Sequence, residues 1–418
     1  MIQKFLDWGY KTAENPDSAD VTVLNTCTVT GRSDAKCRQA IRHILSRNPD
    51  TTMIVTGCYS QHAAEDIAAI PGVDYILGVQ EKLNLFHFFR EPGKADHPQI
   101  FVTSITNPGP MTMHTAGEPG RTRAMLKIQT GCDRRCTYCI VPSVRGPCRS
   151  MPLSAVLKEA RQMVKNGFRE IVLTGVHIGA YGLSDSMKSG LPDLLRAMLA
   201  IDGLSRIRLT SLEPEHCTDE LLEVVRSSVR ICRHFHISVQ SGSPAILRDM
   251  GRPFDTDAIR QLIDRISRFF PDAGLGADII VGFPGETESQ FEETRQLLLA
   301  NPFSYIHVFP YSPRRGTPAA ELRDLSAKIK SERAGILREL SAQKKQAFQN
   351  RWLGRTADVL LEAKNHSGWI TGWSSEYLRA AVPFDTRLMN QLVPVHLRSI
   401  RNNVVRGRAV SLCNSKPE

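Results

Sequence analysis

Between residues 124 and 312 six short, apolar, β-branched runs recur: "AMLKIQT", "EIVLTGV", "RIRLTSL", "HFHISVQS", "LGADIIVGF" and "YIHVFPYS". Runs with helical spacing separate them, among them 153–165, 219–226 and 289–299. Regular strand–helix alternation predicts parallel strands covered by helices, because each helix carries the chain back to the same end of the sheet. Six units are fewer than the eight of a closed α/β barrel, so the pattern predicts a partial, open-sided (βα)6 barrel. In such folds the carboxyl ends of the strands carry the site.

The flanks differ from this centre. "VTVLNT" and "MIVTG" read as buried strands around a helix whose apolar positions are Ala40, Ile41, Ile44 and Leu45, stopping at Asn48-Pro49. That is a βαβ unit, the core of a Rossmann-like domain, and Cys27 and Cys58 each fall just past the carboxyl end of one strand. The opening "MIQKFLDWGYKTAENPDSAD" reads as the end of an amphipathic helix. A Pro/Gly-rich connector follows at 105–123, and a long helix is expected over 322–350, with Leu322, Leu325, Ile329, Ile336, Leu340 and Phe348 near one face. From Ala357 short alternating runs predict a small β barrel or sandwich. The expected division of the α/β chain is therefore 1–105, 120–350 and 351–415.

Composition narrows the function classes. No apolar run has membrane-spanning length and no signal peptide is visible, so no membrane partner and a cytoplasmic location are expected. Ten cysteines without a secretory signal favour reduced thiols or metal ligands over a disulfide framework. The net charge is +10, and from Arg351 onward ten Lys/Arg face five Asp/Glu. That excess points to an anionic partner for the tail, nucleic acid first, against the plainer reading of a solvated basic surface.

"GCDRRCTYC" places Cys132, Cys136 and Cys139 directly after the first of the six strands. Structural zinc takes four protein ligands, which would require Cys148. A cubane iron–sulfur cluster can instead be held by three thiolates, leaving one iron open to an exogenous ligand. Tyr138, before the last cysteine, is placed to shield such a cluster from water.

With that spacing after the first of six βα units, the chain resembles the radical S-adenosylmethionine superfamily. The resemblance implies a 4Fe–4S cluster whose free iron is chelated by S-adenosylmethionine. Reductive cleavage of the sulfonium then yields a radical able to attack an inert C–H bond. "NTCTVT", "GCYSQ", "GCDRRCTYCIVPSVRG", "LTGVHIGAYG", "HISVQSGSPAILRDMGR", "GADIIVGFPGETE" and "HVFPYSPRRGTPAA" together are similar to the methylthiotransferases of that superfamily, over about residues 20–320. The β tail resembles their TRAM domain. "RGPCRS", "LTGVHIGAYG" and "HVFPYSPRRGTPA" most resemble the branch acting on N6-threonylcarbamoyladenosine in tRNA.

The resemblance implies a second, auxiliary 4Fe–4S cluster in the N-terminal domain, with Cys27 and Cys58 as two of its ligands. The family's third ligand lies in an upstream "GC-x2-N"-like segment without counterpart here. This predicts that Met1 is an internal methionine of a longer natural chain rather than the start of a natural short form, since a sheet without its first strand exposes an edge. Cys37 is read as an exposed helical cysteine, not a substitute ligand.

The resemblance further implies S-adenosylmethionine contacts at Thr174, Gly175, Ser238, Gln240 and Gly282. Alternatively Gly175 and Gly282 only permit tight strand ends, and Gln240 only satisfies a buried polar group. Arg145 is read either as meeting phosphate or a cofactor carboxylate or as a salt-bridged structural residue; His234 and His236 as core or layer residues rather than metal ligands. Cys148, Cys217, Cys232 and Cys413 are assigned no chemistry. Arg398, Arg401, Arg406 and Arg408, interleaved with Val404, Val405 and Val410, suit a β surface that grips phosphates.

The expected activity is methylthiolation at carbon 2 of threonylcarbamoyladenosine in a tRNA anticodon stem-loop, with a reducing electron donor. The alternatives are sister activities on isopentenyladenosine or a ribosomal-protein aspartate, or an inactive RNA-binding module.

Overall fold

The computed structural model describes residues 1–106, 108–109, 111, 122–183 and 189–410, which fall into two compact units. The first holds Met1–Pro110 together with two excursions, Gly131–Pro147 and Ser312–Arg323; the second holds the rest. Most of the expected connector (107, 110 and 112–121) and residues 411–418, Cys413 included, lie outside the described residues.

In the first unit β1 (Val21–Thr26), β2 (Thr52–Gly57), β3 (Tyr75–Leu77) and β4 (Gln99–Phe101) form a parallel sheet in that order. The expected helix between β1 and β2 spans Gly31–Arg47. Thr30 caps it by accepting the Ser33 N–H, and it stops before Asn48-Pro49, where proline disfavours a helical predecessor. Its stripe of Ile41, Ile44 and Leu45 packs with Met53, Val55 and Ile76. The central β2 is buried along its length while β1, at the sheet edge, is half-buried. The opening residues do form a helix, Ile2–Asp7, whose Phe5 joins Tyr10 and Phe86 in an aromatic cluster.

The second unit contains the six strands in chain order. They are β5 (Arg123–Lys127), β6 (Glu170–Thr174), β7 (Arg206–Leu209, resumed after Thr210 as Ser211–Leu212), β8 (His234–Gln240), β9 (Gly274–Val281) and β10 (Tyr305–Pro310). Every neighbouring pair is parallel, and among the described residues no ladder joins β10 back to β5, so the barrel is partial. The tail of the first run, Gln129–Thr130, leaves the barrel and pairs antiparallel with Arg149–Ser150 at the base of the cysteine loop.

Side chains alternate along these strands. Ile171, Leu173, Ile207, Phe235, Ile237 and Ala277 join the core shared with the covering helices. Their neighbours Glu170, Arg206, Arg208, His234, His236 and Asp278 belong to the other face, so the lumen is polar. Glu170 accepts from Arg208 Nε at 2.9 Å and ion-pairs Arg206 at 3.2 Å. Burial works against the Glu170 anion, but the guanidiniums of Arg208 and Arg206 outweigh it and hold the carboxyl below its ordinary range.

The long helix begins at Ala327, not 322, because the Ser326 hydroxyl caps it by accepting the Ile329 N–H. Leu322 and Ile336 are exposed; the buried face is Ala334, Leu337, Leu340 and Phe348. Beyond it β11 (Thr356–His366), β12 (Trp369–Ser374), β13 (Arg379–Pro383), β14 (Leu392–Arg401) and β15 (Val404–Ala409) close into a barrel in the order β11-β12-β13-β15-β14. The lumen arginines hold this barrel by its backbone. Arg206 donates to Trp373 O at 2.7 Å, and Arg208 to Ser374 O at 2.8 Å and Ser375 O at 3.1 Å.

Candidate active site

The three cysteines sit on the Gly131–Pro147 excursion, which packs with the N-terminal sheet rather than with the barrel whose first strand it follows. Gly131 opens it at φ +71°, and a Cβ there would collide with the backbone of Pro147, so the loop's two ends cross where only glycine fits. Cys132 N–H donates to Gly146 O at 3.1 Å, closing the loop, and Cys139 N–H donates to Cys136 O at 3.0 Å, making the turn that gathers the last two thiols. Cys136 is buried; Cys132, Cys139 and Tyr138 are half-buried.

Thr26 and Gly57 form the last register pair of β1 and β2, so Cys27 and Cys58 follow adjacent strand ends on one sheet edge, as the βαβ reading expected. Cys27 is exposed and Cys58 buried. Past Cys139, the short helix Val141–Arg145 lays Val144, with Ile140, against Cys58. Its Arg145 donates Nε–H to Cys58 Sγ at 2.9 Å, a contact that neither reading of Arg145 anticipated. Lys82 is held below its ordinary range, first by burial and then by the Arg145 charge. Cys37 is half-buried rather than exposed: its thiol lies 3.8 Å from Cys27 O, and its side chain packs on the sheet core. Burial pushes that thiol up.

The second excursion straps this region. Arg314 donates to both Thr28 Oγ1 and Asp34 Oδ2 at 2.6 Å, Ser312 Oγ accepts from Gly31 N–H at 2.9 Å, and Ala319 N–H reaches Thr137 O at 2.9 Å. One segment therefore grips the loop after Cys27 and the loop of Cys136 and Cys139.

In the second unit the expected cofactor contacts lie at the carboxyl ends of β6, β8 and β9. Thr174 ends β6 and Ser238 and Gln240 end β8. Gln240 adopts φ +71°, a left-handed conformation rare for a side-chain-bearing residue, next to a register break between β8 and β9. Such strain aims a side chain and is concentrated at sites. A Cβ on Gly175 would come within 2.9 Å of Gln129 Oε1, the same oxygen that accepts from the N–H groups of Val176 and His177. Gly282 (φ +71°) donates its N–H to buried Glu286 at 2.7 Å, which Arg333 of the long helix holds at 2.6 Å. Burial nevertheless keeps the Glu286 carboxyl above its ordinary range. Gln129 and the Glu286–Arg333 pair shape these turns, and neither carried a signal in the sequence.

Lower in the lumen His234, His236, Asp278, Tyr305 and His307 form one hydrogen-bonded chain. The pair of histidines expected as layer residues occupies that layer. His236, Asp278 and His307, and separately His177, Glu215 and His216, bring ligand atoms within 4.8 Å of one another, so each trio has donors suited to a divalent cation. On the C-terminal barrel Arg398, Arg401 and Arg408 are exposed, whereas Arg406 lies over the Trp369 ring at 4.2 Å. Among the described residues no helix is long and apolar enough to cross a membrane.

Comparison with known proteins adds to this geometry. The profile of the Radical SAM superfamily matches residues 126–298, and that of Uncharacterized protein family UPF0004 matches residues 1–78. The chain is 36% identical over 402 residues to the threonylcarbamoyladenosine tRNA methylthiotransferase MtaB of Bacillus subtilis, covering 94% of this chain and 89% of that one. To the protein of the same name from Rickettsia prowazekii it is 37% identical, covering 83% and 82%. Among solved structures it is similar to the radical S-adenosylmethionine methyltransferase TsrM of Kitasatospora setae, at a TM-score of 0.55 and 15% identity. That likeness covers 72% of this chain and 65% of the other, and speaks for the fold alone.

Proposed function

The chain belongs to the threonylcarbamoyladenosine tRNA methylthiotransferase family of radical S-adenosylmethionine enzymes, and from that premise we propose that it replaces the hydrogen on carbon 2 of N6-threonylcarbamoyladenosine in tRNA by a methylthio group. What carries the reading is identity to such enzymes along nearly the whole chain, with both cysteine regions inside the matched span.

The residues fit the two groups the reaction needs. Three thiols on one loop suit a cubane with a free iron better than a four-ligand zinc site, because the buried Cys148 thiol instead accepts from Gln129 Nε2 at 3.1 Å. Cys132, Cys136 and Cys139 would hold the 4Fe–4S cluster, and Thr174, Gly175, Ser238, Gln240 and Gly282 would contact S-adenosylmethionine. Together the bound groups supply a radical strong enough for an aromatic C–H bond that no side-chain base can deprotonate. Cys27 and Cys58 would hold a second cluster, whose sulfur is transferred. Arg145 donates to Cys58 Sγ at 2.9 Å and so holds that ligand in place at the sheet edge. The exposed Arg398, Arg401 and Arg408 would meet phosphates of the anticodon stem-loop, and a reducing donor must feed the first cluster.

The test is mass spectrometry of nucleosides from tRNA of cells with and without the gene. Loss of methylthio-threonylcarbamoyladenosine on deletion is expected; an unchanged level overturns the substrate.

A further inference from the structure

A cavity of about 480 Å³ lies in the partial barrel, lined there by Val172, Arg208, His236, Asp278 and His307 and, from the C-terminal barrel, by Glu362 and Tyr377. We infer that it receives the N6-threonylcarbamoyl arm of the nucleoside, with His307 meeting the terminal carboxylate and Asp278 orienting that imidazole. The inference rests on the proposed nucleoside substrate and adds which part of the molecule the lumen selects.

The depth of the cavity suits that arm. His236 lies two residues before Ser238, and Val172 two before Thr174, so the cavity layer is about 7 Å below the strand ends that would carry the cofactor. From N6 to a carboxylate oxygen the arm spans five bonds, about 6 Å when extended, and a hydrogen bond to the layer supplies the remainder. An adenine held at the strand ends therefore delivers the carboxylate to this layer.

The ring nitrogens of the layer suit it as well. His236 has both ring nitrogens committed, Nδ1 to the Tyr305 hydroxyl at 2.9 Å and Nε2 to Asp278 Oδ1 at 2.8 Å. Tyr305 continues to His234 Nε2 at 2.7 Å. His307 commits only Nδ1, 3.4 Å from the same Asp278 oxygen, and its side chain is 55% exposed. With Nδ1 turned to the Asp278 carboxylate, Nε2 is the His307 ring nitrogen left to meet a substrate carboxylate. The layer is kept open for this arrangement. A Cβ on Gly276 would lie 2.5 Å from His236 Nδ1, so a larger residue on β9 would push that ring out of the chain.

Selectivity follows. An apolar arm such as an isopentenyl group would strip water from these polar groups and return no hydrogen bond, which is how sites built for polar groups reject analogues lacking them. Here His307 is a substrate contact and Asp278 a positioning residue.

The test uses reconstituted full-length enzyme and two anticodon stem-loop RNAs, one with the threonylcarbamoyl acid and one with its methyl ester. KM and kcat for methylthiolation and Kd from fluorescence anisotropy are measured for each. The native enzyme is expected to prefer the acid at least tenfold, mainly in KM and Kd. His307→Phe should reduce that ratio about tenfold or more. His307→Gln, which keeps a donor, should restore part of it, and Asp278→Asn should fall between. Native enzyme that does not distinguish acid from ester overturns the inference, as does a His307→Phe variant that weakens both RNAs equally. Native enzyme inactive on both RNAs yet active on an isopentenyladenosine RNA overturns the nucleoside reading itself, a separable result.

Discussion

Glu170→Gln is the most informative single change, because one carboxylate balances two buried guanidiniums at the floor of the barrel. Glu170 is fully buried and the side chains of Arg206 and Arg208 are 2% and 3% exposed. Breaking a buried pair by removing one partner costs about 3–5 kcal/mol. Both arginines keep their carbonyl acceptors at Trp373, Ser374 and Ser375, and glutamine keeps one acceptor, so the low end applies, about 3 kcal/mol. With a urea slope of about 3 kcal/mol/M for a unit of this size, the midpoint should fall by about 1 M. Tryptophan fluorescence is the assay, since Trp369 and Trp373 lie in the C-terminal barrel and Trp352 in its core.

The pH dependence has a definite sign. The folded carboxyl lies below its unfolded value, so its stabilisation is complete above about pH 4.3 and is lost as pH falls through the folded pKa. Native and variant midpoints should therefore differ fully at pH 7 and converge only in acid. Glu223→Gln, which removes an exposed pair with Arg226, is the control and should shift the midpoint by less than about 0.3 M. A Glu170→Gln shift no larger than the control's would refute the idea that this carboxylate holds the two barrels together.

Cys136→Ala should lower iron after anaerobic reconstitution by about four per chain, read by elemental analysis; unchanged iron would remove the loop from cluster binding. Gln240→Gly should raise thermal stability by about 1 kcal/mol by relieving the left-handed backbone, while weakening S-adenosylmethionine about tenfold in calorimetry. A variant that gains stability with unchanged affinity would mean the strain serves only packing. Arg314→Met leaves Asp34 buried without its partner and should cost about 3 kcal/mol, with faster proteolysis of the first unit as the readout. Arg398→Ala with Arg401→Ala should weaken binding of any RNA alike and flatten its salt dependence by about two phosphate contacts; an unaltered salt slope would move the RNA surface elsewhere.

Strand and helix positions were legible because hydrophobic period is a property of neighbouring residues. β1, β2 and the helix between them need only alternation, a Thr30 cap and Asn48-Pro49 to be bounded, and six apolar runs with helices between them leave few topologies but a parallel, partial barrel. The long helix starts later than its apolar pattern predicts because a hydroxyl at Ser326 outweighs the apolar Leu322 and Leu325 ahead of it. The cysteine spacing was equally local and pointed to a three-thiolate loop.

Partnerships between distant residues were not legible. Arg145 reaches Cys58 across 87 positions and Arg314 reaches Asp34 across 280, and the cysteine loop joins the sheet of the first unit although its sequence follows the barrel's first strand. Nor does the sequence reveal that Asp278, His236 and His307 share one hydrogen-bonded layer, since each looks like an ordinary polar residue alternating with its strand. Local pattern fixes which elements form, because it depends on contacts a few residues apart. Which charges and thiols meet is decided only when those elements pack, because burial then forces each polar group to find a partner from wherever the chain brings one.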